Sequence, residues 1–254
     1  MAAYQQPYIQ QYDPEMGYGA DDKGLVGGDS YGEFMDKQVR RGFIRKVFGI
    51  LSVQLLITFA IAASLMSVDG AKLYVQQNAW PVSVAFVSLF GSLISLACCG
   101  DLHRKFPYNY ALLGIFTVSE SFFVGVISMQ YDTQIVIMAL CTTALVVAGL
   151  TAYAFQTKYD FTTFGGILFC SLFCLFGFGI MTMFIQNHVM EIMYSSVGAL
   201  IFSCYLVFDI QLLMHGKRVQ LSPDDYVFAA LNLYLDIVQL FLHILRLYGE
   251  MSRN

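Results

Sequence analysis

LVFDIQLLMHGKRVQLSPDDYVFAALNLYLDIVQLFLHILR, residues 206–246, reads as two apolar helices joined by a short polar turn. Each helix carries one carboxylate, Asp209 in the first and Asp236 in the second. Ser222 precedes Pro223, with Asp225 three residues on: the pattern of an N-cap, a proline at the first helical position and a capping-box acid. Counted from Ser222, Asp209 lies 13 residues back and Asp236 lies 14 residues on. With a rise of ~1.5 Å per helical residue, the two acids are expected at nearly the same depth, where they can share one site.

The second arm carries a further pattern. Asp225, Asn232, Asp236, Gln239, His243 and Arg246 step by 7, 4, 3, 4 and 3, so they form one face of a helix. Every other position from Val227 to Leu245 is apolar, small or Tyr234. Such a helix is expected to turn its polar stripe towards protein or a wet cavity and away from lipid.

Composition sets the class. The chain has 254 residues, 57% hydrophobic and 13% charged, with a mean hydropathy of +0.60. A soluble domain carries about 25% charged residues, so these values predict a polytopic membrane protein. The net charge of −4 is mild, and the basic residues form no patch away from the membrane. Nucleic acid is therefore not an expected partner; the lipid bilayer is. Met1 to Asp36 has no apolar core of the kind a signal peptide needs. The six cysteines, Cys98, Cys99, Cys141, Cys170, Cys174 and Cys204, lie in or at the ends of apolar runs and read as small hydrophobes, without a disulfide framework.

Residues 1–39 are rich in Tyr, Gln, Gly and Asp, lack apolar periodicity and read as a disordered tail. From residue 40 to 254 the expectation is an all-α bundle of seven transmembrane helices. The apolar segments are 47–66, 80–99, 110–129, 134–154, 163–185, 192–214 and 227–245, each near the ~20 residues that span a bilayer. With the N-terminus in the cytosol, nine membrane-proximal basic residues fall on that side (Arg40, Arg41, Arg45, Lys46, Arg104, Lys105, Lys158, Lys217 and Arg218) against Lys72 alone in the opposite loops. This asymmetry predicts a cytosolic N-terminus. Arg246 and Arg253 after the seventh segment leave two readings of it, a full span or a re-entrant hairpin, and its 19 residues favour the span.

Other polar residues stand out. Glu120 falls at the middle of the third segment, where an acid is expected to face the interior near the carboxylate pair. Arg104, in the cluster His103-Arg104-Lys105 before Pro107, is placed to reach a carboxylate at the cytosolic mouth. His188 and His215 lie at loop edges and read as solvated.

Several stretches carry a family likeness: FIRKVFGILSVQLLIT (43–58), FTVSESFFVG (116–125) followed by YDTQ, AFQTKYDFT (154–162), YLVFDIQLLM (205–214) and YVFAALNLYLDIVQLFLHILR (226–246). From about Phe43 to the C-terminus the chain resembles the transmembrane Bax inhibitor motif family, in its lifeguard branch and nearest the Golgi anti-apoptotic type. The resemblance implies a last helix surrounded by the other six, in an intracellular membrane of the Golgi or endoplasmic reticulum. It also implies a calcium leak controlled by pH through two aspartates, which Asp209 and Asp236 match. In bacterial relatives an arginine near the end of the second helix latches one aspartate. Arg104 is the nearest candidate, one residue out of that register. FDIQ at 208–211 replaces the YDTQ usual in relatives, keeping the acid but losing two hydroxyls.

Four functions are weighed on these residues. In the first, a cation leak, carboxylates supply hard oxygen ligands suited to calcium as a permeant ion, and two of them at close range cannot both ionise cheaply, which couples the site to protons. Asn232, Gln239, His243, Glu120 and Arg104 are then pore or latch candidates, and no cofactor is called for. The second is an intramembrane aspartyl protease, which also pairs two aspartates. Such enzymes carry G-x-G-D and P-A-L, whereas Asp236 follows Leu-Tyr-Leu and no P-A-L occurs, so an enzyme is not expected. The third, a retinal protein or receptor, lacks a lysine in the last helix, since Lys217 is the last in the chain. A non-conducting scaffold that binds apoptosis-regulating or channel proteins is the fourth.

Overall fold

The structure is a computed structural model, and it describes residues 26–68, 70–98, 107–185, 187–215 and 225–253. Arg104 and the Ser222-Pro223 turn lie outside the described residues. The chain divides into two compact units, Met1–Gln38 and Val39–Asn254. The second contains the bundle.

Among the described residues the helices are α1 (Val26–Ser67), α2 (Ala71–Gln77), α3 (Trp80–Cys98), α4 (Tyr108–Ser128), α5 (Thr133–Gln156), a 3-10 turn at Phe161–Phe164, α6 (Gly165–Phe184), α7 (His188–His215) and α8 (Tyr226–Met251). Six helical segments are each long and apolar enough to cross a bilayer, and α2 with α3 makes a seventh when this pair, bent by 83°, counts as one span. The chain is thus an all-α polytopic membrane protein.

The differences from the sequence reading have local causes. Helix α1 starts at Val26, inside the stretch expected to be an irregular tail; once nucleated, a helix adds one hydrogen bond per residue fixed, so it extends past its apolar part. Helix α2 was not expected, because AKLYVQQ is too short to show a period and buries none of its residues. It follows Gly70, whose φ of 85° is open to glycine at little cost. Helix α8 begins at Tyr226 with Asp225 in the N-cap position, later than the Ser222 cap expected, and it runs on to Met251. The apolar run stops at Leu245, but contacts with other helices continue through the polar residues beyond it.

Helix α8 is the axis of the bundle. In its most apolar stretch 67% of the residues are buried, against 50% in α4 and 11% in α5 and in the α6 segment. It packs most extensively on α7, then on α5 and α4, while α3 sits against α4 and α6 against α7. At 26 residues it is about 39 Å long, enough to cross a bilayer. Its two ends meet opposite ends of its neighbours. Tyr226 accepts a hydrogen bond from Asn109 Nδ2 (3.2 Å), at the start of α4, and carries Lys46 Nζ 3.2 Å above its ring. Glu250 contacts His188 at the start of α7. The seventh segment is one continuous helix, long and apolar enough for a full span.

The outer helices are built for lipid. Helix α6 buries only Leu168 and Leu175, and exposes Ile167, Phe169, Phe173, Phe176 and Met183. A helix apolar all round and half uncovered is what a hydrocarbon solvent tolerates and water does not. Cys141, Cys170 and Cys174 lie on such exposed faces as free thiols, and Cys204 is a free thiol in a half-buried position.

Candidate functional site

Helices α7 and α8 run antiparallel, and the polar stripe of α8 faces α7 along much of its length. Asp236 meets Asp209. His243 stacks on Phe202 (5.5 Å between ring centroids) and meets Tyr194 edge-on (5.1 Å). Arg246 lies 5.3 Å from the Tyr194 ring centre. The stripe is thus turned into protein, as its spacing predicts. Close approach comes from Gly198, where an added Cβ would lie 2.3 Å from the His243 ring.

The carboxyl groups of Asp209 and Asp236 lie within hydrogen-bonding reach of each other. Two carboxylates repel and neither can donate, so a hydrogen bond between them forms only when they share one proton. Asp236 is buried, and its Oδ2 has no hydrogen-bond partner among the described residues. Asp209 is half-buried, and Tyr205 lies within electrostatic reach of both acids. The pair offers an unfilled acceptor in a low-dielectric place. Calcium takes 6–8 oxygen ligands in a resident site, and among the described residues no group of three or more His, Cys, Asp or Glu side chains comes together.

Gln211, two residues after Asp209, has a role that the sequence reading missed. Its Nε2 donates to the Tyr159 carbonyl (2.9 Å) and its Oε1 accepts from the Phe161 amide (2.8 Å). One buried side chain therefore ties the α5–α6 connection to the helix that carries Asp209. The only sequence signal was its spacing from the aspartate, and that says nothing about a loop 50 residues away.

Glu120 is buried, but beside a different face of α8. Its electrostatic neighbour is Tyr234, two residues before Asp236 and so about 200° around the helix from it. Tyr234 belongs to a buried hydroxyl chain: its OH bonds Thr58 Oγ1 (2.8 Å), and Ser121 Oγ donates to the same oxygen (2.9 Å). Gln54 Nε2 donates to Thr117 Oγ1 (2.9 Å) one turn away. This chain joins α1, α4 and α8. Glu120 itself makes no hydrogen bond among the described residues. Asn232 and Gln239 are half-buried on the stripe, also without a hydrogen bond among the described residues. Arg104 lies outside the described residues.

His188 is not simply solvated: its Nδ1 is 2.9 Å from Glu250 Oε2, and Arg253 holds the other oxygen of Glu250 at 2.9 Å. At the opposite end, Arg40 donates to the Met214 carbonyl in the last turn of α7.

A transmembrane bundle with a carboxyl pair between its last two helices defines the class. Residues 40–254 match the family described as Bax1-I, inhibitor of apoptosis-promoting Bax1. Protein lifeguard 3 of Homo sapiens is 37% identical over 96% of this chain and 80% of its own length. Protein lifeguard 3 of Mus musculus is 38% identical over 98% of this chain and 83% of its own. Protein lifeguard 4 of Mus musculus is 38% identical over 85% and 88%. The chain belongs to this Bax inhibitor family, and the resemblance read from its motifs is correct.

Proposed function

We propose that this chain is a pH-controlled calcium leak of an intracellular membrane, Golgi or endoplasmic reticulum, which restrains cell death by setting store calcium. The family description, inhibitor of apoptosis-promoting Bax1, supports the second half of this reading. The observation that carries the first half is the close approach of two carboxyl groups between α7 and α8. With one proton the pair holds the two helices together at mid-membrane. When pH rises and that proton leaves, two like charges face each other across a low dielectric, and the helices are driven apart. A calcium ion entering the gap neutralises both. Leak therefore rises with pH.

The test is calcium efflux from proteoliposomes between about pH 6 and 8, the range over which a shared carboxyl proton is exchanged. Wild type is expected to leak faster at the upper end. Asp209→Asn and Asp236→Asn keep size and some hydrogen bonding but remove a charge. Each should lower flux and flatten its pH response, and the double variant should be little worse than either, as for groups acting as a unit. Wild-type pH dependence in either single variant would overturn the reading.

A further inference from the structure

At the end of the bundle where α8 stops, a cavity of about 820 Å³ opens between α6, α7, α8 and the α4–α5 connection. It lies several helical turns from the carboxyl pair, and its chemistry differs from that of the pair. Two carboxylates and two guanidinium groups line it, with His188. Glu250 is already matched, with His188 Nδ1 and Arg253 each 2.9 Å from its oxygens. Arg246 and Glu191 are not matched: neither has an ion-pair partner among the described residues. Arg246 rests on the face of Tyr194 and lies within reach of the Tyr131 side chain. A guanidinium has five donors in a fork that fits a phosphate or carboxylate, so most of its capacity is left over. Glu191 lies three residues before Tyr194, on the same face of α7. The cavity thus holds one spare cation and one spare anion on neighbouring parts of its wall.

The α6 wall is different. Phe176 and Met183 line the cavity and are 68% and 77% exposed. In a membrane these side chains meet acyl chains, so the mouth opens sideways towards lipid.

We propose that this cavity binds the headgroup of an ethanolamine phospholipid, its phosphate on Arg246 and Tyr131 and its ammonium on Glu191, with the acyl chains lying along Phe176 and Met183. An ammonium donates N–H bonds to a carboxylate. A choline has none and relies on aromatic faces, and the Tyr194 face is occupied by Arg246. A headgroup with phosphate alone satisfies the arginine but leaves Glu191 unpaired beside added negative charge.

The experiment measures thermal unfolding of the full chain in detergent with added dioleoyl phosphatidylethanolamine, phosphatidylcholine, phosphatidylglycerol or soluble glycerophosphoethanolamine. A ligand that binds only the folded state raises the midpoint in proportion to the logarithm of its excess over Kd. The ethanolamine lipid is expected to give the largest rise, with an apparent affinity about tenfold above that for the other two lipids. Arg246→Gln should remove the response to both the ethanolamine and glycerol lipids. Glu191→Gln should abolish only the preference between them. Arg246→Lys, which keeps the charge but not the fork, should fall between wild type and Arg246→Gln; it also serves if the glutamine variant does not fold. Equal responses to all three lipids, or an undiminished ethanolamine preference in Glu191→Gln, would overturn the proposal. A response to glycerophosphoethanolamine matching that to the lipid would overturn the lipid as ligand and assign the cavity to a soluble zwitterion.

Discussion

An aspartate at mid-bilayer costs about 2.5–3.5 kcal/mol on insertion scales, and this chain carries one within each of its last two span-length helices, α7 and α8. A hydrogen bond between the two acids, sharing one proton, would offset part of that cost, and the proposed function makes that proton the source of pH sensitivity. Glu120 is a third buried acid on a separate locus, beside Tyr234 and the Thr58–Ser121 hydroxyl chain. Its effect should therefore be separable. Glu120→Gln is expected to change the size of the calcium flux while leaving the pH at half-maximal flux where Asp209 and Asp236 set it. A moved midpoint, read from efflux traces across the same pH range, would join Glu120 to the pair. The presence of these acids was legible from the sequence, since a lone carboxylate in an apolar run stands out. Their grouping was only half legible: equal spacing from the turn paired Asp209 with Asp236, but nothing in the sequence told which face of α8 Glu120 would meet.

At the scale of elements, α7 is held from two sides, by Gln211 on the α5–α6 connection and by His243 of α8. Gln211→Ala removes both partners of the Tyr159 carbonyl and Phe161 amide bonds. Each lost hydrogen bond of this partly buried kind is worth about 0.5–1.5 kcal/mol, so unfolding should occur at lower temperature. A melting point within error of wild type would mean that the tie carries no load. Gly198→Ala acts on the other side, placing a Cβ 2.3 Å from the His243 ring. Overpacking of this kind costs about 1–3 kcal/mol. Combining it with His243→Ala should restore part of the loss, because the clash is then gone. If the two losses simply add in a thermal melt, the close approach is not the cause. Neither effect was readable beforehand, because a glycine in a transmembrane helix has no period to betray its partner.

For the whole molecule, seven spans, counting the bent α2–α3 pair as one, would put the two chain ends on opposite faces of the membrane. The excess of lysine and arginine at one set of loops predicts a cytosolic N-terminus. A tag at residue 1 is expected to be cleaved by protease added to sealed organelles, and a tag after residue 254 to be protected. Cleavage of both would return the last segment to a re-entrant hairpin, and protection of the first would reverse the orientation.

What the sequence by itself determined was the solvent, the helices and the existence of a polar site. Long apolar runs need no knowledge of the fold to be recognised, because hydrocarbon admits only backbone whose hydrogen bonds are internal. The stripe on α8 was readable for the same reason, since polar side chains in such a helix have to face protein. Its partners were decided by tertiary structure alone. Helices in lipid are sorted by close packing and a few polar contacts, with no hydrophobic force between them. It took the folded bundle to set Asp236 on Asp209, His243 on Gly198, Gln211 on the Tyr159 connection and Glu250 between His188 and Arg253. Apart from Asp209 and Asp236, which their equal spacing from the turn already paired, and Glu250 with Arg253, three residues apart on one helix, these contacts join residues far apart in sequence, where no local pattern records the other half.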